Sequence, residues 1–158
     1  MFKFKSDAPA RTAELARRLA GVLRPGTVIC LDGDLGAGKT LCVQNLAAGL
    51  GVQGEVTSPT FNLMNLYEDG RLPLVHFDLY RLEQEYELDE IGFYDYAENP
   101  EGLVLIEWAE KFPECLPEDH IALEIQRTDV ENERVLVFRL AGSVLQDVYK
   151  EMEKLCQF

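Results

Sequence analysis

Apolar residues recur along this chain in two spacings, and each spacing predicts a different element. Consecutive or alternating apolar residues predict strands, because successive side chains of a strand point to opposite faces of the sheet. Apolar residues three or four positions apart predict helices, because they line one face. The predicted strands are 2–5, 28–31, 61–67, 72–80, 103–106, 121–126 and 134–140. The predicted helices run from a cap at Ser6 or Asp7 to Leu23, across 41–50, in one or two short pieces within 83–99, and from about Ser143.

The stretch GDLGAGKT at residues 33–40 lies between a predicted buried strand and a predicted helix. It fits the phosphate-loop pattern G-x-x-x-x-G-K-S/T, which needs this strand-loop-helix context. Gly33, Gly36 and Gly38 allow backbone conformations in which successive N–H groups converge on phosphate oxygens at a helix N-terminus. Lys39 can then reach the terminal phosphates, and Thr40 places a hydroxyl where Mg²⁺ usually binds. A chance glycine-rich turn is a weak alternative, because the flanking pattern also agrees.

Turn residues between the later strands predict the direction of those strands. Residues 68–71 and 129–133 have turn chemistry, so each predicts an antiparallel pair of strands. With the strand before the phosphate loop, this indicates an α/β fold with a mixed sheet, which has a parallel core and antiparallel additions and is flanked by helices. We expect one P-loop NTPase-like domain over residues 1–158, because this length leaves no room for a further domain of ordinary size.

Composition narrows the possible partners and the compartment. The net charge of −13 disfavours binding of DNA or RNA by the chain alone, because such binding depends on Lys and Arg. We therefore expect a partner protein to hold any nucleic acid. No apolar run approaches the roughly 20 residues that span a bilayer, and the N-terminus has no signal-like apolar segment, so we expect a cytoplasmic location and no membrane contact. The four cysteines form no C-x-x-C pair, which favours buried reduced thiols.

Two acidic residues compete as the second Mg²⁺ ligand that a P-loop enzyme needs. Glu107 and Asp78 each close a predicted strand, although either could be a surface carboxylate. His76 lies in the same strand as Asp78, and we favour a packed, hydrogen-bonded role for it over proton transfer. Residues 57–60 offer three hydroxyls and a stiffening proline, which fits a γ-phosphate switch and, equally well, a capped loop.

Other nucleotide-dependent activities leave weaker signals. Asp89 and Gly92 spell the D-x-x-G of GTPases, but they lie in a helical pattern, and no N-K-x-D guanine motif occurs. GTPase activity is therefore disfavoured. The arginines after Glu107 are spaced as in a hairpin and not as in a kinase lid, yet a small-molecule kinase remains an alternative. A nucleotide-gated binding module with incidental hydrolysis is the non-enzyme alternative.

Four blocks together carry a family resemblance: GDLGAGKT at 33–40, SPTF at 58–61, HFDLYR at 76–81 and IEW at 106–108. In order and spacing they resemble the bacterial TsaE family, over nearly the whole chain. The resemblance implies a small ATPase that acts with the TsaB and TsaD proteins in the threonylcarbamoyl modification of adenosine beside the tRNA anticodon. In that family TsaD performs the modification, and the TsaE subunit hydrolyses ATP to reset the complex between turnovers. The tRNA would be contacted only indirectly, through the complex.

The resemblance also implies roles for individual residues. Thr40 and Glu107 would ligate Mg²⁺, and Asp78 would lie near the γ-phosphate and orient water. Lys39, Asp78 and Glu107 are thus the expected catalytic residues. Trp108 would be important for activity, and Thr12 would approach the adenine. The residues expected to bind ATP are Thr12, Gly33, Leu35, Gly36, Ala37, Gly38, Lys39, Thr40 and Trp108.

Overall fold

The computed structural model describes residues 1–57, 59 and 63–157, which form an α/β structure. Its strands are β1 (Phe2–Ser6), β2 (Val28–Asp32), β3 (Met64–Tyr67), β4 (Leu74–Asp78), β5 (Leu103–Glu107), β6 (His120–Arg127) and β7 (Arg134–Ala141). Its α-helices are α1 (Pro9–Ala20), α2 (Lys39–Gly49), α3 (Tyr86–Glu90), α4 (Phe93–Ala97) and α5 (Gln146–Leu155). Two short 3₁₀ helices, Ala109–Lys111 and Pro113–Cys115, follow β5.

The strands form one seven-stranded sheet in the order β1-β7-β6-β2-β5-β4-β3. Strands β6, β2, β5 and β4 are parallel, whereas β1, β7 and β3 pair antiparallel with their neighbours. The prediction of a mixed sheet with a parallel core and antiparallel additions is confirmed. The predicted pairs β3–β4 and β6–β7 are also present.

Alternating side chains of the central strands bury two apolar layers, one on each face of the sheet. In β2, Ile29 and Leu31 pack with α1, α2 and α5, whereas Val28 and Cys30 pack with α3 and α4. Such a strand is buried on both faces and is therefore apolar throughout, as the run before the phosphate loop is. The sheet is thus a rigid middle layer, and its strand ends supply fixed positions for polar side chains.

Helix α1 differs from its predicted bounds at both ends. It begins at Pro9 and not at a Ser6 or Asp7 cap, because the Ser6 hydroxyl lies in β1 and donates to Ala8 O at 2.8 Å. It ends at Ala20, where the Arg71 guanidinium donates to the carbonyl oxygens of Ala20 and Leu23, at 2.6 and 3.1 Å. A long-range arginine therefore satisfies carbonyls that a longer helix would have used.

Strands β3 and β4 are shorter than the sequence predicts. Leu63 has a left-handed backbone with φ +62° directly before β3, and Phe61 lies outside the described residues. Strand β4 ends at Asp78, whose Oδ1 accepts the Tyr80 N–H at 3.0 Å. Such a local side-chain bond competes with the strand ladder and turns the chain.

The cysteines are free thiols, as predicted, but only two of them are buried. Cys30 and Cys42 lie in the core, and burial raises the pKa of Cys42 to about 12. Cys115 and Cys156 are half-buried. Among the described residues, no helix is both long enough and apolar enough to cross a membrane.

Helices α1 and α2 cross so closely that Gly49 has no room for a side chain. An added Cβ would lie 2.6 Å from the Ala20 Cβ and 2.7 Å from Arg17 O. Alanine normally stabilises a helix over glycine by up to about 1 kcal/mol. Here we expect Gly49→Ala to destabilise the fold by about 1–3 kcal/mol, because the helices must separate. Urea unfolding of the variant and the wild type measures the difference.

The matched control for this prediction is Gly54→Ala. Nothing lies within 4 Å of a Cβ at Gly54, so its stability should stay within about 0.5 kcal/mol of the wild type. An unfolding free energy for Gly49→Ala equal to or above the wild-type value would show that the helix pair tolerates the methyl group.

Candidate functional site

The predicted phosphate loop lies at the carboxyl edge of the parallel strands. It follows β2, whose Leu31 is in register with Glu107 at the end of β5, and Glu107 is in register with Asp78 at the end of β4. A pocket of about 230 Å³ opens at this edge. It is lined by Leu35, Gly36, Gly38, Lys39, Thr40, Asp78, Glu107 and Trp108. Ligands of open α/β sheets bind at this edge as a rule.

Glycines allow the loop backbone to adopt conformations and close contacts that side chains would prevent. Gly36 and Gly38 have φ values of +78° and +118°, in the region that side chains disfavour. Gly33, with φ +146°, lies so close to β6 that an added Cβ would be 2.6 Å from Ile125 O. Gly38 is the N-cap of α2 and offers no side-chain cap, so the first N–H groups of this helix are directed towards the end that lines the pocket. This arrangement suits an anion.

The Lys39 ammonium lies buried between the loop and an aromatic ring. Its Nζ donates to the carbonyls of Gly33 and Asp34 and sits 3.8 Å from the centroid of the Trp108 ring. Burial lowers the pKa of Lys39, and nearby carboxylates, led by Glu107, oppose this shift. Those carboxylates are Glu107, Glu110, Asp32 and Asp78. The side chain is therefore held in place by the loop carbonyls and the Trp108 ring.

Glu107 and His76 form a buried pair beneath the pocket. Their side chains are 3% and 1% exposed, and His76 Nε2 lies 2.6 Å from Glu107 Oε2. A carboxylate only accepts hydrogen bonds, so Nε2 carries the proton and donates it. The His76 Nδ1 has no partner among the described residues. The expectation of a packed, hydrogen-bonded His76 is thus confirmed, and its partner is the carboxylate that was predicted to ligate Mg²⁺.

Trp108 adopts a left-handed backbone with φ +59°, which costs a residue with a side chain about 1–2 kcal/mol. Its N–H still donates to Leu31 O at 3.2 Å, so β5 remains tied to β2 at this turn. The turn puts the ring over Lys39 and 4.9 Å from the Tyr80 ring. This geometry supplies the physical role that the sequence did not reveal: Trp108 forms one wall of the pocket and contacts its cation.

The donors in the pocket fit Mg²⁺ of the kind that nucleotides bring with them. Thr40 supplies a hydroxyl and Glu107 a carboxylate, and no group of three or more candidate ligands occurs among the described residues. Mg²⁺ commonly uses one or two protein oxygens together with phosphates and water. Among the described residues that line the pocket, two carboxylates face one ammonium, so a polyphosphate would bind better with a divalent cation.

Several predicted residues lie away from the pocket. Thr12 is buried in α1, and its hydroxyl donates to Ser6 Oγ at 2.7 Å, so its adenine contact stays a prediction. Ala37 is a buried member of the loop and does not line the pocket. Of the proposed switch at 57–60, Ser58 and Thr60 lie outside the described residues. The Thr57 carbonyl accepts from Asn65 at 3.2 Å.

Sequence reasoning missed the groups behind the loop. Arg127 and Arg134 belong to the β6–β7 hairpin, yet both donate to carbonyls of the phosphate loop. Glu110 lies close to Asp32, and burial together with this neighbouring carboxylate raises the pKa of Glu110 to about 6. No local sequence signal marks these contacts, since they depend on β6 and β5 lying on either side of β2.

Comparison with known proteins agrees with the family resemblance. The model of the TsaE family, described as threonylcarbamoyl adenosine biosynthesis protein TsaE, matches residues 6–136. The tRNA threonylcarbamoyladenosine biosynthesis protein TsaE of Bacillus subtilis is 37% identical over 152 residues, 96% of this chain and 94% of that protein. The protein of the same name from Streptomyces coelicolor is 45% identical over 118 residues, 72% of this chain and 78% of that protein.

A solved structure supports the same relationship. The crystal structure of Bacillus subtilis YdiB matches with a TM-score of 0.80 at 33% identity, covering 97% of this chain and 94% of that one. Sequence and fold thus agree along almost the whole chain, and the chain belongs to the TsaE family.

Proposed function

We propose that this chain binds ATP with Mg²⁺ and hydrolyses it as a subunit in threonylcarbamoyladenosine biosynthesis on tRNA. The observation that carries the proposal is the convergence of Lys39, Thr40, Asp78 and Glu107 on one pocket beside a glycine-rich loop. These side chains come from two strand ends and a helix start, and the sheet brings them together. The names of the related proteins support the pathway.

The loop and Lys39 would bind the phosphates. Backbone N–H groups at the start of α2 provide donors, and the helix dipole favours negative charge there. Lys39 is already ordered by loop carbonyls and by the Trp108 ring, so little side-chain freedom would be lost on binding. A preorganised cation of this kind favours charge that develops during phosphoryl transfer.

Thr40 and Glu107 would hold the metal, and His76 would keep Glu107 oriented. Bound Mg²⁺ neutralises phosphate charge. The hydrogen bond from His76 fixes one carboxylate oxygen of Glu107 in the core, as outer partners of metal ligands commonly do. The pair thereby places a charged group at the strand end without letting it rotate into solvent.

Asp78 would orient the attacking water. It ends β4 next to Glu107 and lines the pocket. The Tyr80 N–H donates to one of its carboxylate oxygens at 3.0 Å, which restricts rotation of the carboxylate. A positioned carboxylate can accept a proton from water during attack.

The partners that the proposal includes are TsaB and TsaD, with the tRNA held by the complex. The net charge of −13 supports this division, since so acidic a chain binds phosphate backbones poorly by itself. Hydrolysis would then reset the complex between turnovers. Tyr80 is 49% exposed and its ring contacts Trp108, which lines the pocket, so a partner that binds Tyr80 could sense the nucleotide.

Loss of Lys39 should remove nucleotide binding. We expect Lys39→Ala to weaken ATP affinity by about ten- to a hundredfold, because the site loses its pocket-lining cation. Isothermal titration of ATP with Mg²⁺ measures the change. Lys154→Ala, at an exposed lysine of α5, is the control and should bind as the wild type does. Equal affinities for the two variants would place the nucleotide elsewhere.

Loss of the Glu107 charge should remove the effect of Mg²⁺ on ATP affinity. In Glu107→Gln we expect ATP affinity with Mg²⁺ to fall to the value measured with chelator, while affinity in chelator stays nearly unchanged. The titrations are repeated for Glu110→Gln, which removes a nearby carboxyl that does not line the pocket. If Mg²⁺ still raised ATP affinity in Glu107→Gln but no longer did so in Asp78→Asn, Asp78 would be the metal ligand in place of Glu107.

Asp78 should act on turnover and not on binding. We expect Asp78→Asn to lower phosphate release by about a hundredfold while ATP affinity stays within about twofold. Phosphate release is measured for the chain alone and with TsaB and TsaD. Asp89→Asn, in the discounted D-x-x-G of α3, is the control and should retain full activity. Absence of wild-type phosphate release in both settings, despite ATP binding, would favour a nucleotide-gated binding module.

A further inference from the structure

Side-chain cations hold the carbonyls of the phosphate loop from behind. Arg127 Nη2 donates to Leu35 O at 3.0 Å, and Arg134 Nε donates to Ala37 O at 2.9 Å. The two arginines are register partners at the turn end of the β6–β7 hairpin, directly before and after the connecting residues 128–133. Because β6 runs parallel to β2, this end lies at the same edge of the sheet as the loop.

Because the peptide group is planar, a contact that holds a carbonyl also sets the direction of the N–H group that follows it. In a trans peptide the C=O and the following N–H point in opposite directions. A carbonyl of Leu35 that is held by Arg127 therefore directs the Gly36 N–H away from the arginine. In the same way, the bond from Arg134 to Ala37 O directs the Gly38 N–H away from the hairpin.

Glycine makes such an anchor necessary. Gly36 and Gly38 have φ values of +78° and +118°, and glycine moves between backbone regions with little penalty. Their peptide planes would rotate easily if nothing held the carbonyls. The contact at Gly36 is close: an added Cβ there would lie 2.5 Å from Arg127 Nη2.

The guanidinium of Arg127 does not line the pocket. Arg127 lines a separate cavity with Gly33, Asp34, Glu110, Glu124 and Gln126, whereas Gly36, Gly38 and Lys39 line the pocket. The Arg134 guanidinium also donates to Glu133 O at 2.8 Å, within its own hairpin. Both arginines thus hold the loop backbone from outside the volume that a ligand would fill.

We infer that Arg127 and Arg134 are positioning residues that orient the Gly36 and Gly38 N–H groups towards a polyphosphate in the pocket. The inference rests on the proposed function, which places the phosphates of ATP in this loop. The hairpin thereby has a second role, since β6 and β7 complete the sheet and also preorganise the loop. Neither arginine needs to touch the nucleotide.

The test compares Arg127→Gln and Arg134→Gln with the wild type in titrations of ADP and of ATP. Each variant should bind both nucleotides about five- to tenfold more weakly, because the loop donors are less well oriented. The weakening should be equal for ADP and ATP. Arg139→Gln is the matched control: it removes the same charge from β7, where Arg139 pairs with Glu124 and does not contact the loop carbonyls of Leu35 or Ala37. Its affinities should stay within about twofold of the wild type.

A second readout examines the nucleotide-free protein. The ¹⁵N heteronuclear NOE of Gly36 should fall in Arg127→Gln, and that of Gly38 should fall in Arg134→Gln, while the core amides of β2 keep their values. Unchanged NOEs would overturn the inference whether or not nucleotide binds. Weakening of ATP but not ADP would instead indicate direct contact with the terminal phosphate. Failure of the wild type to bind either nucleotide would contradict the proposed function and leave the NOE comparison to decide the inference.

Discussion

The parallel alignment of β2 with β5 on one side and β6 on the other is the constraint on which the site depends. Parallel neighbours end at the same edge, so the loop after β2 meets the last residues of β4 and β5 there. Two apolar layers hold this alignment, because β2 buries side chains on both faces. The positions of Asp78 and Glu107 follow from strand register and not from a flexible loop, which favours a fixed geometry for chemistry.

The loop illustrates how a partly exposed backbone can have its carbonyls satisfied and still be open to a ligand on one side. Its carbonyls find side-chain donors: Lys39 for Gly33 and Asp34, and arginines for Leu35 and Ala37. One N–H of the loop, that of Ala37, is used within the loop, where it donates to Asp34 O at 3.0 Å. Backbone polar groups that lack water or a partner cost free energy, so this division of donors and acceptors also stabilises the unliganded loop. The contacts that hold the loop backbone therefore also contribute to the stability of the protein.

Several buried charged groups lie together at this edge of the sheet. Lys39 is buried among carboxylates, and Glu107 is buried against His76. Burial of one such charge alone would be costly, and each of these groups has a neighbour that offsets part of the cost. The strain in the Trp108 backbone belongs to the same arrangement, because the left-handed turn is what brings the ring to the ammonium. Outliers of this kind tend to collect at functional sites.

Local patterns in the sequence determined most of the elements. The strands before and after the loop, the β3–β4 and β6–β7 pairs, and the short helices α3 and α4 all follow from spacing and turn residues, since periodicity and turn chemistry act within a few residues. The glycine-rich loop between β2 and α2 could be predicted for the same reason. The start of α1 could not, because the Ser6 hydroxyl belongs to a strand and accepts from Thr12.

The tertiary structure alone decided which distant groups meet. Periodicity does not encode strand order, so the sequence predicted a hairpin at β6–β7 but not that β6 lies beside β2 and brings Arg127 and Arg134 behind the loop. The sequence indicated a packed role for His76 and a ligand role for Glu107. That the two form one hydrogen-bonded pair follows from β4 and β5 being adjacent in the sheet. Local patterns were thus enough to predict the elements and the glycine-rich loop, because backbone geometry sets them within a few residues. The tertiary structure decided the neighbours of each charge, because burial of both faces of the sheet selects the strand order across the whole chain.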